Sequence, residues 1–101
     1  MAFIKVCSLA ALPPGSVTEV MVGERAVAVC NHEGTVHALD GICPHEGGPV
    51  GQGGFHGNML VCPWHAWEFD CTTGENDFDP DVKLAKFPVE IREGDILVDL
   101  G

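Results

Sequence analysis

The sequence predicts an all-β protein, an antiparallel sandwich or small barrel carrying a loop-built site. Three observations predict it. Apolar residues recur mostly at every second position, the mark of half-buried strands. Nowhere does a 3.6-residue apolar repeat run for three turns, so helix is expected to be scarce. Thirteen glycines and seven prolines in 101 residues supply the many turns that short strands need.

The elements follow in order. Phe3-Ile4-Lys5-Val6-Cys7 opens a strand, and Leu12-Pro13-Pro14-Gly15 turns the chain. Residues 16–22 alternate Val17, Glu19 and Met21 against Thr18, Val20 and Val22. Val22-Gly23-Glu24-Arg25 reads as a hairpin turn into an apolar strand over 26–31, and His32-Glu33-Gly34 turns again into 35–39. The clearest hairpin pairs 87–91 with 96–100 across Arg92-Glu93-Gly94-Asp95. One domain over residues 1–101 accounts for this length, and no solenoid repeat is evident.

Five basic side chains face fifteen acidic ones, a formal net charge of −10. Such a surface repels phosphate backbones and anionic lipid heads, so neither nucleic acid nor membrane is an expected partner. It suits a carrier that docks on basic patches, or serves only to keep the protein in solution. No window holds ~18 consecutive apolar residues. The N-terminal stretch MAFIKVCSLAALPPG alternates like a strand and lacks the layout of a signal peptide. The expected location is therefore cytoplasmic, where thiols are mostly reduced and five cysteines are poorly explained as a disulfide framework.

Two short loops carry the chemistry. Cys43-Pro44-His45 is followed by sixteen intervening residues and then by Cys62-Pro63-Trp64-His65. Thiolate and imidazole are the ligands that soft and borderline metals prefer. Pro44 and Pro63 stiffen each loop directly after its cysteine. Gly47, Gly48, Gly51, Gly53 and Gly54 let the chain turn sharply or let backbone amides approach a cluster. Zinc is the commoner occupant of two cysteines and two histidines. Zinc modules usually pair like ligands, however, whereas each loop here mixes one cysteine with one histidine. That mixture suits two metal ions, one held by both cysteines and one by both histidines.

Cys-x-His and Cys-x-x-His at this separation resemble the Rieske [2Fe-2S] motif, in which two histidines replace two cysteines on one iron. The opening Val6-Cys7-Ser8-Leu9 with Leu12-Pro13-Pro14-Gly15, the approach Ala38-Leu39-Asp40, Gly74, and Phe87-Pro88-Val89 with its closing hairpin are also similar to small Rieske proteins. The resemblance implies a Rieske-like fold with a cluster-binding part over about residues 41–75. It implies that Cys43 and Cys62 ligate the inner iron, and His45 and His65 the outer one, which takes the added electron. The imidazole N–H groups would then link the potential to pH in the alkaline range, which potentials across that range would reveal.

High-potential members of the family carry an extra disulfide between the loops, at positions that match Gly48 and Trp64 here. They also place a serine and a tyrosine where this chain has Trp67 and Phe69. Trp67 still offers an indole N–H as one weaker replacement. Hydrogen bonds to sulfur raise the potential, so their loss implies a value near the low end of the range, about −150 mV within roughly 100 mV.

The chain has no room for a mononuclear-iron domain, a flavin site or a nicotinamide fold, so it is read as no enzyme but a one-electron carrier. The resemblance implies transient docking with a flavin reductase and a terminal oxygenase. One alternative is a small electron-transfer subunit of a larger reductase, such as nitrite reductase; a third is a non-redox, zinc-bound structural or binding module. Pro80 lies in a third loop that the resemblance places over the cluster; a solvated acidic turn is the plainer reading. Glu75, Asp77, Asp79 and Asp81 form either a docking patch or a solvated face. Trp64, Trp67 and Phe69 shield the site or fill the core. Cys7, Cys30 and Cys71 read as small buried hydrophobes, and His32, His37 and His56 as surface or turn residues.

Overall fold

The computed structural model describes residues 3–44, 47–64 and 66–101. Among these residues ten strands follow in chain order: β1 (Phe3–Ser8), β2 (Val17–Val22), β3 (Arg25–His32), β4 (Thr35–Asp40), β5 (Gly54–His56), β6 (Met59–Val61), β7 (Glu68–Asp70), β8 (Lys86–Phe87), β9 (Val89–Arg92) and β10 (Asp95–Asp99). The helical elements among the described residues are two 3-10 turns, Leu9–Ala11 and Val50–Gln52. Three antiparallel sheets result, ordered β1-β10-β9, β2-β3-β4-β8 and β5-β6-β7. The all-β architecture predicted from the alternation is therefore present.

The turns show why these strands pair as they do. Two-residue hairpin loops need left-handed backbone to match the strand twist. Glu33 and Gly34 have φ of 53° and 94°, and Glu93 and Gly94 have 53° and 80°. These pairs join His32 to Thr35 and Arg92 to Asp95 in register. The predicted strand over 87–91 is in fact two strands. Lys86 and Phe87 pair with β4, while Val89 to Arg92 pair with β10 in another sheet. Pro88 between them has no N–H for a ladder, and the chain changes sheets there.

Strand β3 is the hub because it is buried on both faces. Val27 and Val29 pack with Leu12, Ala38, Ile96 and Val98, closing the first sheet over the second. One residue out of phase, Cys30 packs with Leu39, Cys43, Val50, Leu60, Cys62, Phe69, Cys71 and Leu84. A strand alternates its side chains between faces, so β3 and β4 build both cores at once. Cys30 and Cys71 are fully buried with their thiols hydrogen-bonded to one another. Burial, then the neighbouring Cys71, pushes the Cys30 thiol far above the ordinary thiol range. Cys7 differs from its expectation: it is half-buried, beside an irregularity in the β1–β10 register.

Two polar anchors tie elements together. Asn31, buried at 3% exposure, donates from Nδ2 to the Leu12 carbonyl at 2.8 Å and accepts the Gly34 amide at 2.8 Å. Lys86 donates to the Thr72 carbonyl at 2.7 Å and lies 3.3 Å from His37 Nδ1. That places β8 and β4 against the turn after β7. His37 is thus a half-buried strand residue rather than a turn or surface one, and burial, then the Lys86 and His32 charges, lowers its pKa.

Replacing Asn31 with Ala leaves the buried Leu12 carbonyl unpaired and frees the Gly34 amide of the turn, and chemical denaturation should show a loss of about 1–3 kcal/mol. Because the native pKa of His37 lies below its unfolded value, the unfolded state binds more protons as pH falls. Stability is complete above the ordinary histidine range and declines as pH drops through it. Melting temperatures of the parent and His37→Gln proteins, measured from pH 7.5 to 5.5, should show a steeper fall in the parent.

Candidate metal centre

The first loop spans residues 41–49 and leaves β4 under tight backbone control. The Gly41 amide donates to Ala26 of β3 at 3.0 Å, and Val50 returns a bond to the Gly41 carbonyl at 3.0 Å. Within the loop, the Cys43 amide donates to the Gly48 carbonyl at 2.8 Å, five residues on. The second loop, residues 62–67, joins β6 to β7 and repeats the device. Here the Cys62 amide donates to the Trp67 carbonyl at 2.8 Å, again five residues on.

The parallel goes one step further. The fourth residue after each cysteine is left-handed, Gly47 at φ 77° and Ala66 at φ 56°. Glycine adopts that conformation freely, while alanine pays about 1–2 kcal/mol. Retaining it at Ala66 shows that the loop shape is imposed by its surroundings. The similarity of the two loops, visible as Cys-Pro pairs in the sequence, is therefore a similarity of backbone closure.

These closures bring two of the four predicted ligands together. Cys43 and Cys62 are each 1% exposed and lie in one apolar cluster. Their thiols are free of any disulfide and hydrogen-bond one another. Burial, then contact with Cys43, pushes the Cys62 thiol up, against the pull of the Trp64 amide N–H directed at its sulfur. His45 and His65, the other two predicted ligands, lie outside the described residues. Among the described residues no three histidine, cysteine or carboxylate side chains converge on a metal position.

The cysteine side of this site fits an iron–sulfur group. Two buried sulfurs side by side are costly as bare thiolates, and a multiply charged metal offsets that cost. Gly48 leaves the needed room: a Cβ there would stand 2.6 Å from Cys62 Sγ and 3.1 Å from Cγ of Trp64. Gly48 and Trp64, the two positions singled out for a missing disulfide, are thus direct neighbours. Gly51 serves a different end from the one expected of it. A Cβ there would lie 2.9 Å from Cα of Glu19, so this glycine seats the second 3-10 turn on β2.

The remaining cysteine and histidine candidates have other partners or face solvent. Cys71 pairs with Cys30, His32 lies 3.0 Å from the Gly57 carbonyl, and His56 is an exposed residue of β5. Phe69 is buried in the core beneath the loops, Trp67 packs against that core, and Trp64 is half exposed. Sequence reasoning missed the sheet β5-β6-β7 that carries the second loop. Its strands have three residues each, too few to show alternation. Gly57-Asn58, which joins His56 to Met59 in register, was the available hairpin signal.

Gly48→Ala should drive the Cys62 sulfur from its place and cut cluster content severalfold, read as iron, sulfide and visible absorbance per chain. Ala66→Gly should keep full content and gain up to ~1 kcal/mol of stability by relieving the left-handed alanine.

Residues 2–88 match the Rieske [2Fe-2S] domain family. The ferredoxin component of the alkene monooxygenase system of Xanthobacter autotrophicus is 33% identical over 97 residues, which cover 95% of this chain and 80% of that protein. Sphingomonas yanoikuyae B1 ferredoxin superposes with a TM-score of 0.89 at 27% identity, covering 99% of this chain and 100% of that one. A chain from the complex of reduced oxygenase and oxidized ferredoxin in carbazole 1,9a-dioxygenase superposes with a TM-score of 0.85 at 31% identity, covering 95% and 91%. With its twin loops and buried cysteine pair, this chain belongs to the Rieske [2Fe-2S] family.

Proposed function

We propose that this chain is the one-electron carrier of an oxygenase system, taking electrons from a flavin reductase and delivering them to a terminal oxygenase. The observation that carries the reading is the buried Cys43–Cys62 pair, set in two loops of identical closure within a Rieske chain. Relatives that match it over most of their length are ferredoxin components of monooxygenase and dioxygenase systems. The carrier catalyses nothing itself. Residues 1–101 form one Rieske domain in this reading, with the cluster-binding part over about 41–75.

Cys43 and Cys62 would hold one iron as thiolates, and His45 and His65 the other through imidazole nitrogens. When bound, the cluster supplies a one-electron couple. The chain's own residues set the conditions for it. Burial of both cysteines keeps water from the sulfurs, and the Trp64 amide directs a hydrogen bond to Cys62. Phe69, buried in the core, offers no hydroxyl to the site. Phe69 without a hydroxyl, in a chain of net charge −10, supports a potential near the low end of the family range.

No helix among the described residues is long and apolar enough to cross a membrane. Placement in the cytoplasm is part of the proposal, supported by five free cysteines, four of them buried.

Anaerobically purified protein should be brown and, once reduced with dithionite, give the low-temperature EPR signal of a mixed-ligand [2Fe-2S] centre. Titration should place its midpoint at about −150 mV, within ~100 mV. A colourless, EPR-silent protein with stoichiometric zinc would overturn the reading. The carrier should also pass electrons from a flavin reductase to an oxygenase without co-purifying with either; stable co-purification with one large reductase would make it a subunit instead.

A further inference from the structure

Two loops carry the cysteine pair and a third packs Val82 against the same apolar cluster, and each holds one large apolar side chain out in solvent. Ile42 on the first is 46% exposed, Trp64 on the second 48%, and Phe78 on the third 83%. The third loop, residues 75–82, is joined to the second through Glu68. That residue's carbonyl accepts the Asp77 amide at 3.2 Å and Nδ2 of Asn76 at 3.1 Å. Glu68 directly follows Trp67, whose carbonyl closes the Cys62 loop.

Phe78 is not a side chain left over from a loose tip. Asn76, 4% exposed, accepts the amides of Phe78 and Asp79 on Oδ1, each at 3.0 Å. The Asn76 amide donates to Val82 at 2.8 Å, and Val82 donates back to Asp79 at 2.9 Å. A loop bonded this fully fixes the backbone that carries the phenyl ring into solvent. Nothing in the core needs that ring, and holding it in water carries a cost that burial against a partner would remove. Preorganisation of this kind lowers the entropy cost of docking.

Charge identifies the partner's side. Asp77, Asp79 and Asp81 alternate around Phe78, and residues 26–82 contain no lysine or arginine. We propose that Phe78, flanked by these aspartates, is the apolar anchor by which this chain docks on its electron acceptor, a redox protein offering an apolar socket rimmed by lysine and arginine. The inference rests on the carrier reading and adds the residue that fixes the docked pose. In the docked pair one electron leaves the reduced centre and enters the acceptor's metal.

The test uses dithionite-reduced holoprotein mixed with two oxidants in a stopped-flow instrument. Cytochrome c is a basic protein with an apolar haem edge, and its ferric haem takes one electron; ferricyanide takes one electron and needs no socket. Phe78→Ala should slow transfer to cytochrome c about tenfold, as loss of a central aromatic anchor does, while Phe78→Leu keeps most of the rate. Both variants should retain the parent's ferricyanide rate, EPR signal and potential, and Ile91→Ala, on the edge strand β9, should change nothing. Replacing Asp77, Asp79 and Asp81 by Asn should flatten the dependence of the cytochrome c rate on salt. An unchanged cytochrome c rate in Phe78→Ala would overturn the anchor and leave the carrier standing. A parent protein that reduces neither oxidant would overturn the carrier reading instead.

Discussion

The amide of each candidate cysteine ligand is bonded to a carbonyl five residues further on, and the rest of the cysteine site depends on this closure. A loop whose cysteine nitrogen is tied in this way has little freedom in where it puts the sulfur. Two such loops, with a glycine between them that leaves room for one sulfur, hold the pair side by side. The prolines that follow each cysteine contribute in the same sense, since each holds its own φ near one value. Rigidity of this kind has a direct bearing on electron transfer, because a site that moves little on reduction loses little energy to reorganisation.

What keeps the loops in place is a core shared with the scaffold. The strands β5, β6 and β7 have three residues each and could not stand alone. They are held because Leu60, Phe69 and Cys71 share one apolar cluster with Cys30 and Leu39 of β3 and β4. Cys43 and Cys62, the two candidate ligands, belong to that same cluster. Ligand placement and core packing are therefore one problem in this chain. Burial of Cys30 against Cys71 fastens the small sheet to the large one with atoms of modest size, where a larger side chain would have to displace Leu39 or Phe69.

Most of this was legible in the sequence, for reasons that differ between regions. Strands β2, β3 and β4 are long enough for alternation to show, and their turns carry glycine where left-handed backbone is required. The cysteine–histidine pattern pointed to Cys43 and Cys62, which the fold buries in one apolar cluster, because metal chemistry constrains residue type as well as spacing. Pro88 was read inside a strand, although its missing N–H is the local signal that the chain changes sheets. The small sheet was invisible because three residues cannot display a period of two. Gly51 was read as serving a sharp turn or an approach to the cluster, whereas its contact is with Glu19 across the fold. Such long-range contacts leave no local trace.

The same distinction explains why Phe78 could not be singled out beforehand. In a sequence, a phenylalanine among aspartates reads as a hydrophobic residue on its way to a core. Only the bonds that the Phe78 and Asp79 amides donate to Asn76 show that the backbone is held where it directs this side chain outward. Asn76 is itself buried, so its side chain acts as the support of the loop and the phenylalanine as its tip. An acidic loop alone would attract any basic surface. An acidic loop with a fixed apolar centre discriminates, because a partner must match both the charge and the socket. Charge then governs how often partners meet, and the ring governs which encounters last long enough for an electron to cross.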